Sequence, residues 1–218
     1  MSRSVRTPST IYVHAATLSD DSYQRIAACG GYTSVSAESE HNAGQGYPPT
    51  WLLRRHNIPV SLSIDTSVWW SADLFSAMRA TLNADRSREH LEAHKRIETV
   101  ILSHLRAEQI VTWATLGGAQ ALGMDSFIGS ITPGKKADLV LIKNDQSPVM
   151  FPLLNPYGHV VFQAGRGDVH TVMVDGAADL PPLLLGRRNL SLFRNFSLEA
   201  FSRATPTATF AGAPPGAF

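Results

Sequence analysis

The sequence is short of several things, and each shortage closes off a class of protein. It has one cysteine, Cys29, among 218 residues, so an intrachain disulfide framework is excluded; a reducing, cytoplasmic setting fits. It has no surplus of either charge: the formal net charge is +1, and no basic stripe recommends nucleic acid or an acidic membrane as a partner. It has no apolar run near the roughly 18 residues that cross a bilayer. "LPPLLLG" at 180–186 is short and twice broken by proline, and "MSRSVRTPSTIYVHAA" lacks the apolar centre of a secretion signal. No internal period suggests a repeat architecture. A composition of 44% hydrophobic and 17% charged residues instead describes an ordinary globular chain with a core.

The pattern of the first 124 residues is alternation. "TIYVHA" (10–15) is β-branched and aromatic, the signature of a short buried strand. "LSDDSYQRIAACGG" follows with a helix: Ser19 as N-cap, Asp20 and Asp21 in the first turn, Gly30 as the stop, and Cys29 as a half-buried thiol on the cap side. "YTSVSAE" (32–38) reads as a second strand, "HNAGQGYPP" as a loop, "TWLLRRHN" as a helix and "VSLSID" (60–65) as a third strand. A helical stretch from Ser71 to Leu105 carries Leu74, Met78, Leu82, Ile97, Ile101 and Leu105 as apolar marks, and its charged middle, 84–96, is either a break or a solvated face. "AEQIVTWATLGGAQALGM" (107–124) predicts another helix in spite of Gly117-Gly118. Strands alternating with helices argue for parallel strands covered by helices. After residue 124 the chain turns β-rich, with strands expected at 137–143, 159–165 and 169–176. The resulting organisation is a flexible 1–9, an α/β unit over 10–124, a small β appendage over 125–176, and a divergent, partly disordered tail over 177–218.

Three polar residues fall where a parallel sheet concentrates chemistry. His14, Glu38 and Asp65 each end a predicted strand, and the C-terminal ends of parallel strands share one face. An imidazole with carboxylates is the minimum set for general acid–base or metal-assisted hydrolysis. A strand-end histidine also serves as a plain structural residue, and a strand-end aspartate as the next helix's cap. Trp69 and Trp70 follow Asp65 on a loop, where they either wall a substrate pocket or pack beneath it. His41, beside Glu38, is a possible extra ligand or a solvated loop residue. His90 and His94, four apart on a helix, are close enough to share a metal, but their Glu- and Lys-rich neighbours favour a solvated face. "PGKKAD" (133–138) lacks the glycine spacing and following helix of a phosphate loop; it is a turn with exposed lysines leading into a strand.

Longer stretches carry a resemblance. "HAATLSDD" from His14 fits an H-x-x-x-L-s-[DE]-[DE] segment. "GQGYPPTWLLRRHNIPVSLSIDTSVWWSADLFSAMR" fits G-x-G-x-x-P…LL…G-[VI]-x-V-x-L-G-[TV]-D followed by D-[LM]-F-x-x-M-R. "ATLGGAQALGMDSFIGSITPGKKADLV" fits A-T-x-x-G-A-x-A-L-G…I-G-S-[IL]-x-P-G-K-x-A-D-L-[VI]. Over residues 10–176 the chain resembles the amidohydrolase superfamily, in the branch holding cytosine and guanine deaminases and triazine hydrolases.

The resemblance implies an α/β fold: the last three βα units of a (β/α) TIM barrel, a partial barrel with a small β-sandwich-type C-terminal appendage. It implies hydrolysis of C–N bonds in a small cyclic or amide substrate by metal-activated water, with zinc or iron as the divalent metal. Asp65 then matches the strand-eight metal ligand and proton acceptor, and His14 the strand-six group that polarises water or substrate, with Glu38, Trp69 and Trp70 lining the substrate. The family's H-x-H of strand one and its strand-five histidine have no counterpart here, and its C-P-x-S-N after strand seven is replaced by "AESEHN". The expectation is therefore a site completed by a homo-oligomer or a partner chain, with an apolar inner barrel face left to cover. The alternative is a catalytically degenerate relative that binds small molecules or runs metal-free acid–base chemistry.

Overall fold

The computed structural model describes residues 10–66, 71–143 and 148–179. The N-terminal arm, the tail beyond 179, Trp69 and Trp70 lie outside the described residues, and with them the expectations placed there.

The first unit forms as the alternation predicts. Strands β1 (Ile11–Val13), β2 (Tyr32–Val35) and β3 (Val60–Leu62) make one parallel sheet in the order β1-β2-β3. Val13 pairs with Ser34, and Ser34 with Ser61. Helix α1 (Asp20–Ala28) starts at Ser19, whose hydroxyl accepts from the Ser22 amide at 3.3 Å, and stops at Gly30, where φ is +65°. Cys29 is half-buried and its thiol donates to the Ile26 carbonyl. Helix α2 (Ala37–Asn42) follows β2 almost at once, and α3 (Thr50–Arg55) leads into β3. One face of the sheet presents Val35 and Val60 to Tyr23, Ile26 and Leu53 of α1 and α3, forming one core.

The opposite face is apolar in part, with hydroxyl positions set into it. Side chains alternate along a strand, and here the alternate positions include Ile11 of β1 beside Ser34, Ser61 and, beyond β3, Ser63. With Ala114, Gly118 and Leu122 they line an open cleft of about 390 Å³. Short hydroxyl side chains leave room there and lower the cost of exposure.

Helix α4 (Leu74–Lys95) runs unbroken through the charged stretch. Its charges are used rather than merely solvated. Asp85, wholly buried, accepts from the Thr50 hydroxyl and pairs with Arg54 at 3.0 Å. The Arg88 guanidinium sits 4.8 Å from the Trp51 ring centroid and that of Arg86 5.2 Å from Phe162. The helix ends at Arg96, so Ile97 and Ile101 are not on it; they are 97% and 96% exposed. A second core joins Phe75, Met78 and Leu82 of α4 to Ile110, Val111 and Val161, and Leu62 and Trp113 pack against both cores.

Residues 107–121 form one helical rod: α5 (Ala107–Thr112), a π-helical turn (Trp113–Gly117) and α6 (Gly118–Ala121). The glycine at 117 has a steric reason, since a Cβ there would lie 2.2 Å from the Val60 carbonyl oxygen. The rod packs directly on the β3 backbone, which is why one glycine cannot be replaced.

The β-rich part is a three-stranded antiparallel sheet of β4 (Leu139–Ile142), β5 (Val169–Val174) and β6 (Ala177–Asp179). The strand expected over 159–165 is instead helical: α7 (Pro156–Gly158), capped by the Asn155 side chain, continues into a π-turn at His159–Gln163. Its Val160-Val161 pair meets the α4 core rather than a sheet, a tertiary contact overriding β propensity. β6 lies at the start of the 177–218 stretch, read as divergent and partly disordered. The 133–138 segment is scaffold, as read: exposed Lys136 pairs with Asp175 at 2.7 Å, and buried Asp138 accepts from the Asp175 amide. Lys135, expected to be exposed, is half-buried and donates to Ser130.

Candidate functional site

Because β1, β2 and β3 are parallel, the residues that follow them emerge on one side of the sheet. His14 follows β1 directly. Its backbone is in the left-handed region, φ 64°, as is that of Ala15, φ 55°. Such a pair is costly for non-glycine residues, about 1–3 kcal/mol each, and here the surroundings impose it. The His14 amide donates to Ser34 O at 2.9 Å, the Ala15 amide to Val13 O at 2.8 Å, and the buried Tyr23 hydroxyl to Ala15 O at 2.5 Å. Burial, and secondarily the charge of Glu40, push that phenol up to about 12.

The segment after β2 does not continue as a strand to Glu38. It turns at Ser36 into α2, which places its residues around a helix rather than along a strand. Glu38 is half-buried, and its carboxylate accepts from the Ser71 hydroxyl at 2.7 Å. It is tied to the start of α4, in a pairing that separates it from the role of a strand-end group. The next residues inward do the convergence instead. Glu40 is wholly buried; its Oε1 accepts from the Ser36 amide at 2.9 Å and lies 3.5 Å from Nδ1 of His14. Ser39 donates to Oδ2 of Asp65 at 2.5 Å. Burial drives the Glu40 carboxyl above its usual range; the Ser36 amide and His14 oppose that, and the Asp65 charge adds to it. Two buried polar atoms here have no hydrogen-bond partner among the described residues, Nδ1 of His14 and Oε2 of Glu40.

Asp65 lies three residues past β3, exposed, in the left-handed region at φ 57°, with its amide held by Ser63 Oγ at 3.0 Å. The helix-spaced α2 thus links the ends of β1 and β3: Glu40 reaches one, Ser39 the other. Glu40 is the residue that sequence reasoning missed. Its signal was the "SESE"-like spacing in "SAESEHN", where helical turns set Ser36, Ser39 and Glu40 on one side. His41 is exposed at the last turn of α2, edge-on to Tyr47 at 6.0 Å. His90 and His94 stack edge to face at 6.3 Å on α4. Among the described residues no group of three histidine, cysteine, aspartate or glutamate side chains is arranged to hold a metal ion, and no helix is long and apolar enough to cross a membrane.

Residues 3–178 match the amidohydrolase family. The 5-methylthioadenosine/S-adenosylhomocysteine deaminase 1 of Syntrophus aciditrophicus is 30% identical over 167 residues, 76% of this chain and 35% of that protein. The 5'-deoxyadenosine deaminase of Methanothermobacter thermautotrophicus is 32% identical over 171 residues, 78% of this chain and 37% of that protein. Among solved structures, an adenosine deaminase from Xanthomonas campestris with bound zinc superposes with a TM-score of 0.69 at 27% identity, over 82% of this chain and 38% of its own. The chain therefore spans little more than a third of the length of these relatives.

Proposed function

Because this chain belongs to the amidohydrolase family, we propose that it forms one side of a C–N hydrolase site acting on a small aminated heterocycle, with adenine nucleosides as the first candidates. The substrate class follows the relatives, which are deaminases of adenosine-type compounds. The observation that carries the reading is the meeting of His14 and Asp65, through Ser39 and Glu40, at one end of three parallel strands. In such a hydrolysis water oxygen bonds to the ring carbon, the C–N bond breaks, and its electron pair leaves on ammonia. One water proton ends on the leaving nitrogen and the other on the product ring. Asp65, exposed and ionisable, is suited to receive a proton, and His14 to polarise water or substrate.

The α/β unit corresponds in this reading to the last three βα units of a barrel, carrying the antiparallel sheet as the small appendage. A divalent metal fits the zinc-bound relative, but the described residues do not hold one by themselves. Asp65 supplies a single carboxylate already shared with Ser39, whereas a catalytic zinc takes three protein ligands and a water. The remaining donors come from outside the described residues, and a second copy or a partner chain is the proposed source. Glu38, whose carboxylate accepts from Ser71, is the proposed substrate-side group of α2.

A second reading rests on the same missing donors: a relative that binds the heterocycle without turning it over. The purified 218-residue chain is assayed for ammonia release from adenine nucleosides while its mass in solution and its bound zinc are measured. Release that rises with assembly and is lost in Asp65→Ala and His14→Ala supports the hydrolase. A folded monomer that binds no zinc and releases no ammonia overturns it in favour of the second reading.

A further inference from the structure

We infer that Glu40 is a positioning residue for His14: its buried carboxylate accepts a hydrogen bond from Nδ1–H of the imidazole, fixes the ring as the Nδ1–H tautomer and leaves Nε2 as the lone-pair nitrogen for the reacting group. The inference deepens the hydrolase reading and rests on it for its purpose, though not for its test.

Four observations carry it. Glu40 Oε1 lies 3.5 Å from His14 Nδ1, with the carboxylate wholly buried and the imidazole 25% exposed. Both Nδ1 of His14 and Oε2 of Glu40 are buried without a hydrogen-bond partner among the described residues, and a buried polar atom left unpaired is unfavourable. A small rotation that closes the gap gives Nδ1 its partner in Oε1, which has a second lone pair beside the one used by the Ser36 amide, and such contacts are often long before a substrate is bound. Glu40 cannot easily turn away, because Oε1 is held by the Ser36 amide at 2.9 Å. The His14 backbone, from which the imidazole extends, is held in the left-handed region by hydrogen bonds to Ser34 and, through Ala15, to Tyr23. An unpaired imidazole nitrogen thus faces a carboxylate oxygen that its own neighbour holds in place.

The physical consequence is a choice of tautomer. A neutral imidazole donates from one nitrogen and accepts at the other, and the partner of the inward nitrogen decides which. An ionised carboxylate can only accept, so it selects the form with hydrogen on Nδ1. Nε2 then keeps its lone pair.

The test reads the tautomer by nitrogen and carbon NMR of histidine-labelled full-length chain, free of metal and substrate, at a pH where the ring is neutral; His14→Gln identifies the signal. Wild type is expected to show the Nδ1–H form as the major tautomer. Glu40→Gln, which keeps an acceptor oxygen, is expected to retain it, and Glu40→Leu to shift the majority to Nε2–H with the remaining spectrum unchanged. An Nε2–H ring in the wild type overturns the inference outright, and so does a folded Glu40→Leu chain with the wild-type tautomer. Should Glu40→Leu fail to fold, the wild-type and Glu40→Gln spectra still decide. Ammonia release plays no part in this measurement, so an inactive chain with an Nδ1–H ring sinks the hydrolase reading and not this one.

Discussion

Glu40 Oε1 stands 3.5 Å from His14 Nδ1, a buried carboxylate facing a partly exposed imidazole across the gap between β1 and α2. The pair is asymmetric: the acid is sealed from water and the base is not. That places the desolvation cost on Glu40, whose charged form is disfavoured by burial before any neighbour acts.

The first consequence is a pH dependence of stability. An acid whose folded pKa is raised contributes stability in full below its unfolded value, 4.5 for this group, and that contribution is lost as pH rises through the folded pKa. Glu40→Gln resembles the protonated acid and carries no such loss. The melting temperature of Glu40→Gln minus that of the wild type is therefore expected to be near zero at about pH 4 and to grow toward pH 8. Calorimetry across that range measures it. A difference that stays flat means that burial of the carboxylate is not uncompensated.

Tyr23 gives the alkaline counterpart. Its phenol is raised from 10.0 to about 12, chiefly by burial. A raised value again means stability held below the unfolded pKa and lost above it, here as pH climbs from 10.0 through about 12. Wild type is expected to lose stability relative to Tyr23→Phe over that interval, followed by denaturant unfolding alongside tyrosinate absorbance. At neutral pH the order reverses. Tyr23→Phe leaves the Ala15 carbonyl without its donor and loosens the left-handed His14-Ala15 turn, at an expected cost of about 1–3 kcal/mol.

How much of this was legible beforehand depends on the range of the interaction. Local signals sufficed for β1, α1, β2 and β3, because caps, turns and alternation are properties of a few neighbouring residues: Ser19, Gly30 and the Val35–Val60 face are all read from short windows. His14 and Asp65 were read as strand ends for the same reason; His14 directly follows β1, and Asp65 lies three residues past β3. Glu38 was read as a strand end because "VSAE" alternates like a strand, whereas the chain leaves the strand at Ser36 and enters α2, where Glu40 is the buried acid. The charged stretch of α4 was ambiguous because its partners Thr50, Arg54 and Trp51 lie about 35 residues away in sequence, beyond any local pattern. The 159–165 segment failed likewise: Val160 and Val161 favour a strand by propensity, and the core of α4 recruits them as a helix.

The glycine pair at 117 and 118 separates steric need from helix tolerance within a single turn. A Cβ on Gly117 would stand 2.2 Å from the Val60 carbonyl oxygen, a backbone atom that cannot swing aside. A Cβ on Gly118 would meet nothing within 4 Å. Gly117→Ala must therefore push the 107–121 rod away from β3, opening the packing of Trp113 and Leu62 that joins the two cores; overpacking of this kind costs about 1–3 kcal/mol. Gly118→Ala only removes backbone freedom from the unfolded chain and adds a better helix former, worth about 0.5–1 kcal/mol of stabilisation. Chemical denaturation of the two single variants is expected to shift the midpoint in opposite directions. Because β3 leads through Ser63 to Asp65, Gly117→Ala is also expected to disturb the Ser39–Asp65 hydrogen bond, visible as a change in the Ser39 amide resonance, while Gly118→Ala leaves it in place. If both variants move the midpoint the same way, the rod does not lie against the Val60 carbonyl as described.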